Sequence, residues 1–273
     1  MRSVGLAAVA TAVVLGACTP AGPPRTALAP TESWCPEGFE VGPDDACFAV
    51  PESHGKDTPV LVYLHGMYKG HGSPEEWALV RTAAAKGFAV VVPRGKRGLC
   101  AWKAELSDHF CWPHEPEDPQ SFRAVVAEWD RVLWQVEAVL EGGPHKRYVL
   151  GYSNGGFFAA HLAASGFFKA DAWGLVNAGA LDSAPAPWKG GGPPMLLVAA
   201  EGDSEEGPRV KALHGELTRA RAAHAFCTRP GDHALAQADV DGALSFFRRH
   251  AAGALKAQAG SYACESPLKP AGP

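Results

Sequence analysis

Short apolar runs alternate with amphipathic stretches along most of this chain. Pro59–Leu64 (P-V-L-V-Y-L) and Phe88–Val92 are apolar and rich in β-branched residues, the pattern of strands buried on both faces. Between them Ser73-Pro74-Glu75-Glu76 opens a helix. Ser73 is the expected N-cap, Pro74 suits the first turn, and Glu76 stands where it would complete a capping box. That helix runs to about Lys86, and Gly87 ends it. Pro93–Pro119 shows no period and reads as a long irregular segment. Gln120–Glu141 then carries the clearest helical stripe: Phe122, Val125, Val126, Trp129, Val132, Leu133, Val136, Val139 and Leu140. This stripe is core-forming. Gly142-Gly143-Pro144 terminates it.

Further on, Arg147–Leu150, Ala172–Val176, Met195–Ala200 and Ala225–Thr228 read as strands. Helices are predicted over Asn154–Ser165, Pro208 to about Ala223, and Leu235 to about His250. Strands alternating with helices imply right-handed crossovers and a mostly parallel central sheet covered by helices on both faces, an α/β fold. In such sheets reactive groups gather at the carboxyl ends of the strands.

The N-terminus has a different character. Arg2 precedes a short apolar run, Val4–Leu15, with the build of a signal peptide over residues 1–17. Leu15-Gly16-Ala17-Cys18 resembles a bacterial lipobox, so Cys18 is the expected lipidation site. Residues 18–33, rich in Pro, Ala and Thr, read as a flexible tether. One sizeable α/β domain is expected over 34–265, with a frayed tail at 266–273. Thr19 in place of an aspartate gives a preference for the outer membrane over the inner. The expected location is thus exported and membrane-anchored, on the periplasmic side or the cell surface. A formal net charge of −4 offers no basic surface for nucleic acid.

There are seven cysteines. Cys18 aside, the even remainder in an exported chain argues for disulfides. Six cysteines permit fifteen pairings, of which proximity favours Cys35–Cys47, Cys100–Cys111 and Cys227–Cys264. No pair has C-x-x-C spacing. Asp108, His109, His114 and Glu115 read as solvated loop polarity, and no metal is expected.

The chemistry concentrates in Gly151-Tyr152-Ser153-Asn154-Gly155, which follows an apolar strand and leads into a helix. That strand–turn–helix context is what G-x-S-x-G requires to present a nucleophilic serine. A free serine hydroxyl is a weak nucleophile and needs a base. His233, in Gly231-Asp232-His233, follows the last of these strands. Asp203, in Glu201-Gly202-Asp203, follows Met195–Ala200. The chain order Ser153, Asp203, His233 places each in a loop after a strand. Histidine suits the base because it titrates near working pH, and a carboxylate would orient its ring. Asp182, after the preceding strand, is the alternative acid. His214, His224 and His250 fall in or beside helices and are weaker alternatives to His233. The oxyanion would take the N–H of Asn154 and that of Met67, the latter in Leu64-His65-Gly66-Met67. His65 would shape that loop.

With these motifs the chain resembles an α/β-hydrolase over about Pro59 to His250. Within that superfamily the G-Y-S-N-G-G elbow is similar to the secreted polyhydroxybutyrate-depolymerase and feruloyl-esterase-like group. It departs from that group at Glu201-Gly202, where His-Gly is common, and at Gly-Asp-His, where Gly-Gly-His is common. The resemblance implies a carboxylic-ester hydrolase with an acyl-serine intermediate and no cofactor. Peptidase or acyltransferase chemistry on the same fold, and a non-catalytic binding lipoprotein, are the competing readings. Trp102, Phe110 and Trp112 in Pro93–Pro119 are either an aromatic wall for substrate or a disulfide-stapled satellite core. Trp102, Trp112 and Tyr152 are the candidate substrate contacts.

Overall fold

The computed structural model of the protein describes residues 33–100, 104–114, 119–181, 188, 192–251 and 263–265. The expected signal peptide, Cys18, nearly all of the tether, Trp102, Glu115, Asp182 and the tail lie outside these residues. The described elements, in chain order, are β1 (Glu40–Val41), β2 (Cys47–Ala49), β3 (Val60–Leu64), α1 (Pro74–Ala85), β4 (Ala89–Val92), β5 (Lys96–Arg97) and β6 (Phe110–Cys111). They continue with α2 (Pro119–Val139), β7 (Arg147–Tyr152), α3 (Asn154–Ser165), β8 (Ala172–Val176), β9 (Met195–Ala200), α4 (Gly207–Arg219), β10 (His224–Arg229), α5 (Gln237–Ala251) and β11 (Ala263–Glu265).

One sheet carries the strands in the order β1-β2-β4-β3-β7-β8-β9-β10-β11. From β4 to β10 the neighbours are parallel. The antiparallel pairs β1–β2, β2–β4 and β10–β11 sit toward the two edges. The chain steps from β3 outward to β4, then returns to the other side of β3 to lay down β7. That reversal makes a crevice at the carboxyl ends of β3 and β7, the usual place for a ligand in an open parallel sheet.

The side-chain period of two sorts each strand between two cores. Val60, Val62 and Leu64 pack with residues of α2, α3 and α4, whereas Leu61 and Tyr63 pack with those of α1 and α5. The predicted stripe of α2 is buried from Phe122 to Val136, and Leu140 is buried just beyond the helix. Val139 is the exception at 45% exposure: α2 ends there, and Leu140 takes the buried place one residue on.

Five strands go beyond the sequence reading: β1, β2, β5, β6 and β11. Each has two or three residues, too few to show a period, and each is held by its partners. β5 and β6 pair within the segment read as irregular, Lys96 opposite Cys111 and Arg97 opposite Phe110. The structure joins Cys35–Cys47, Cys100–Cys111 and Cys227–Cys264. The last of these links directly opposed residues of β10 and β11.

The aromatic cluster beneath α2 and α3 is a test of this packing. Phe158 is fully buried, stacked on Trp112 at 5.5 Å and 8° and tilted against Phe122 at 5.4 Å. Phe158→Ala should lower the unfolding free energy by about 3–5 kcal/mol, measured by urea denaturation.

Candidate active site

β7 leaves its apolar run at Tyr152, and the chain turns at Ser153 with φ 50° and ψ −124°. A non-glycine residue with positive φ is uncommon and strained, and it persists only where the surroundings over-determine it. Here they do. A Cβ on Gly155 would fall on the carbonyl oxygens of Leu64 and His65 at the end of β3. The first turn of α3 can therefore reach the sheet only with glycine at that position. Ser153 N–H donates to the Val176 carbonyl of β8 at 3.0 Å, holding the turn at the strand end.

The three residues singled out after β7, β9 and β10 meet here. His233 Nε2 lies 2.8 Å from Ser153 Oγ, and His233 Nδ1 lies 2.7 Å from Asp203 Oδ2. An ionised carboxylate can only accept, so the Nδ1 proton faces Asp203 and Nε2 is free to accept from the serine. The Asp203 side chain is buried, while that of His233 is one-third exposed. Burial works to raise the Asp203 carboxyl. The N–H of Glu206, donating to Oδ1 at 2.9 Å, and the bond and charge of His233 outweigh it and hold the group below its ordinary range.

The loops bearing Asp203 and His233 are laced together. Glu201 N–H donates to the Arg229 carbonyl, and Gly202 N–H to that of Gly231, both at 2.8 Å. A Cβ on Gly202 would stand 2.6 Å from the Gly231 oxygen, which explains Gly202. The positive φ of Gly231, 103°, suits glycine.

Several supporting residues escaped sequence reading. Arg229 and Asp239 form a buried ion pair, Nε to Oδ1 at 2.8 Å and to Oδ2 at 3.0 Å. The same guanidinium gathers the carbonyls of Pro230, Asp232 and Ala234, and so wraps the backbone around His233. Asn177, fully buried with φ 49°, accepts from Ala200 N–H at 2.9 Å and reaches the Ala234 carbonyl at 3.4 Å. Arginine, aspartate and asparagine at helix and strand ends are usually surface residues, so only their burial reveals the role.

The expected capping box is half formed. Ser73 Oγ accepts from Glu76 N–H at 3.2 Å. The Glu76 side chain turns inward, accepting from Tyr63 Oη at 2.6 Å and from Gly66 N–H at 3.3 Å. Two donors inside the fold, one of them a buried phenol, draw the carboxylate away from its own helix end. Burial pushes the Glu76 carboxyl up, against these two bonds. With Gly66 N–H engaged, Met67 supplies the next N–H along, and its side chain is 39% exposed. Asn154 is the first residue of α3, where an N–H has no carbonyl one turn back.

His65 is buried and bridges two loops. Gly95 N–H donates to Nε2 at 2.9 Å, so Nδ1 carries the proton toward the Gly66 carbonyl at 2.6 Å. Burial lowers its pKa to about 3, so it is a neutral brace. Trp112 is fully buried among aromatics, as in the satellite-core reading. Its backbone N–H donates to Asn154 Oδ1 at 2.7 Å and its indole N–H to the His65 carbonyl at 2.9 Å. Tyr152 is nearly buried, and its hydroxyl donates to the His233 carbonyl at 3.0 Å. Among the weaker histidine alternatives, His214 and His224 pair with each other at 2.9 Å, away from Ser153 in the fold of α4 and β10. Asp108 is ion-paired with Lys69 at 2.5 Å.

No protein-family model matches the chain, and no curated protein matches its sequence. Solved structures do match. A carboxylesterase from Mesorhizobium loti is 24% identical with a TM-score of 0.54, covering 76% of this chain and 94% of its own. The Bacillus cereus carboxylesterase is 19% identical at TM-score 0.54, covering 75% and 93%. A truncated carbohydrate esterase from gut microbiota is 12% identical at TM-score 0.56, covering 76% and 90%. With the sheet order and helix placement above, these likenesses show that the chain has the α/β-hydrolase fold.

The brace at His65 has a measurable consequence. A histidine ordinarily titrating at 6.5 but held at about 3 stabilises the fold above pH 6.5. That contribution is lost as pH falls from 6.5 toward 3, because the unfolded chain takes up the proton first. In urea unfolding at graded pH, His65→Asn should be less stable than the parent at pH 8. Its stability should also fall less steeply below pH 6.5, by about one proton's worth of slope.

Proposed function

We propose that the protein is a serine hydrolase that cleaves carboxylic esters through an acyl-serine intermediate. The observation that carries this reading is the hydrogen-bonded chain Ser153–His233–Asp203, at 2.8 and 2.7 Å, at the carboxyl edge of the sheet. Ser153 Oγ attacks the ester carbonyl carbon while His233 Nε2 takes its proton. Asp203 holds the ring in the required tautomer and stabilises the imidazolium. The negative charge on the carbonyl oxygen is met by the N–H groups of Met67 and Asn154. Collapse expels the alcohol, which takes the proton from His233. Water then enters by the same base to release the acid and restore the serine. Two of the structural neighbours bear the name carboxylesterase, which supports the reading at the level of the reaction.

The narrower reading places the protein beside the secreted polyhydroxybutyrate-depolymerase and feruloyl-esterase-like group, on the strength of the G-Y-S-N-G-G elbow. Hydroxyacyl and aryl-acid esters, as small molecules or polymer ends, are therefore the first substrates to test. Neither nucleic acid nor a cofactor has a part in it. Within the same proposal the chain is exported and anchored to a bacterial membrane through lipidated Cys18. The three disulfides, at home in an oxidising compartment, support export.

The test compares the parent with Ser153→Ala and His233→Ala, using a fluorophosphonate probe and p-nitrophenyl acetate. The parent alone should be labelled, and both variants should lose roughly a thousandfold or more in kcat. Hydrolysis by Ser153→Ala at the parental rate would end the proposal. Asp203→Asn keeps the shape but favours the wrong imidazole tautomer, and should lose about 10⁴-fold in kcat.

A further inference from the structure

The hairpin of β5 and β6 touches both arms of the oxyanion pocket. Cys100, three residues after β5, is disulfide-bonded to Cys111 of β6. On one side Phe110 pairs its backbone with Tyr68, the residue after Met67. Phe110 N–H donates to the Tyr68 carbonyl at 2.9 Å, and Tyr68 N–H donates to that of Phe110 at 3.4 Å. Two residues on, the indole N–H of Trp112 donates to the carbonyl of His65, two residues before Met67, at 2.9 Å. Met67 is thus bracketed by residues bonded to a single short stretch, Phe110–Trp112. The same stretch reaches the other arm, since the Trp112 backbone N–H donates to Asn154 Oδ1 at 2.7 Å. The base of the hairpin closes the circuit, with Gly95 N–H donating to His65 Nε2 at 2.9 Å.

Trp112 is itself rigidly seated. It is fully buried, stacked face to face on Phe158 and set edge-on to Trp129 at 88°. Its indole N–H reaches the loop after β3 and its backbone N–H reaches the Asn154 side chain at the turn into α3.

We propose that this hairpin is a splint for the oxyanion pocket, in which Trp112 is a positioning residue that fixes the spacing between the N–H groups of Met67 and Asn154. The inference rests on the ester-hydrolase reading. Two donors stabilise an oxyanion only when both aim at the place that oxygen occupies in the transition state. An error of about 1 Å in such placement can cost about a hundredfold in rate. Asn154 rides on the start of a helix, but Met67 lies in a loop with a partly exposed side chain. The splint supplies what secondary structure does not. A defect in it should therefore appear in kcat. Ground-state binding and the placement of the His233 ring should be untouched, because Asp203 and the loop after β10 set the imidazole.

The test uses the full chain with two single variants and their double. Trp112→Phe keeps a ring and the backbone N–H but removes the indole donor. Asn154→Ala removes the acceptor at the other end while keeping its own backbone N–H. Rates on p-nitrophenyl acetate are taken per site titrated with a phosphonate probe, together with inhibition by a phenylboronic acid, whose tetrahedral adduct mimics the oxyanion. Each variant should lose roughly ten- to a hundredfold in kcat, with KM within about twofold and an unchanged pH profile. Boronate affinity should weaken in step with kcat, and the double variant should lose less than the product of the single losses. Should Trp112→Phe not fold, Asn154→Ala carries the same expectation by itself. Unchanged kcat overturns the inference. So does a loss confined to KM, which would make Trp112 a wall of the binding site, or a displaced pH profile, which would point to His233. A parent that neither turns over ester nor takes the probe overturns the hydrolase reading and this inference with it. An active parent with equally active variants overturns this inference alone.

Discussion

The first turn of α3 comes so close to the end of β3 that no side chain fits between them at Gly155, where the carbonyls of Leu64 and His65 occupy the space of a Cβ. This contact sets the height of Ser153 above the sheet and forces its backbone into a strained turn. It also brings the loop after β3 beside the start of α3, the two segments that carry the candidate oxyanion donors. The strain is sustained by the sheet around it: Ser153 is bonded to β8, and β3 is paired along its full length with Arg147–Gly151 of β7. The topological reversal between β3 and β7 leaves the crevice open directly over this turn.

Around that contact lies a shell of buried polar groups, each satisfied by backbone that would otherwise wander. Arg229, held by Asp239, collects carbonyls on both sides of His233. Asn177 ties β9 to the same loop, and Glu76 takes the Gly66 N–H. A buried ion pair is weak evidence for stability, because desolvating two charges offsets most of their attraction. Its value here is geometric. A planar guanidinium with several fixed donors defines the path of a loop that has no regular structure of its own. His65 does the same with a neutral ring, and burial keeps it neutral.

The disulfides extend the principle to the sheet edges. β2 and β11 are three-residue strands near the two edges of the sheet, and each carries a cysteine bonded to another segment. The β5–β6 hairpin, stapled by Cys100–Cys111, is smaller still and lies against the loop after β3. Short elements are tied to the fold by covalent links in addition to their strand pairing.

The long elements and the three residues that meet at the candidate site were legible in the sequence. A strand buried on both faces must be apolar throughout, and a helix lying on it must be apolar on one stripe, so β3, β4, α2, β7 and β9 declare themselves. Ser153, Asp203 and His233 were legible because each sits in a short loop after such a strand, with glycines marking the turns. The edge strands were not, since two or three residues carry no period. Arg229, Asp239, Asn177 and the inward turn of Glu76 were not legible either. Polar side chains look alike in sequence whether they face water or a buried carbonyl, and which of the two they meet depends on segments distant along the chain. The aromatic segment left two readings open for Trp112. Only the packed structure chose the inward one, because the space between α2 and α3 is shaped by both helices at once and by neither alone. Local periodicity and turn chemistry are properties of a few consecutive residues, and these the sequence by itself determined. Burial, and the partner each polar group finds there, belong to the assembled sheet and helices, and these the tertiary structure alone decided.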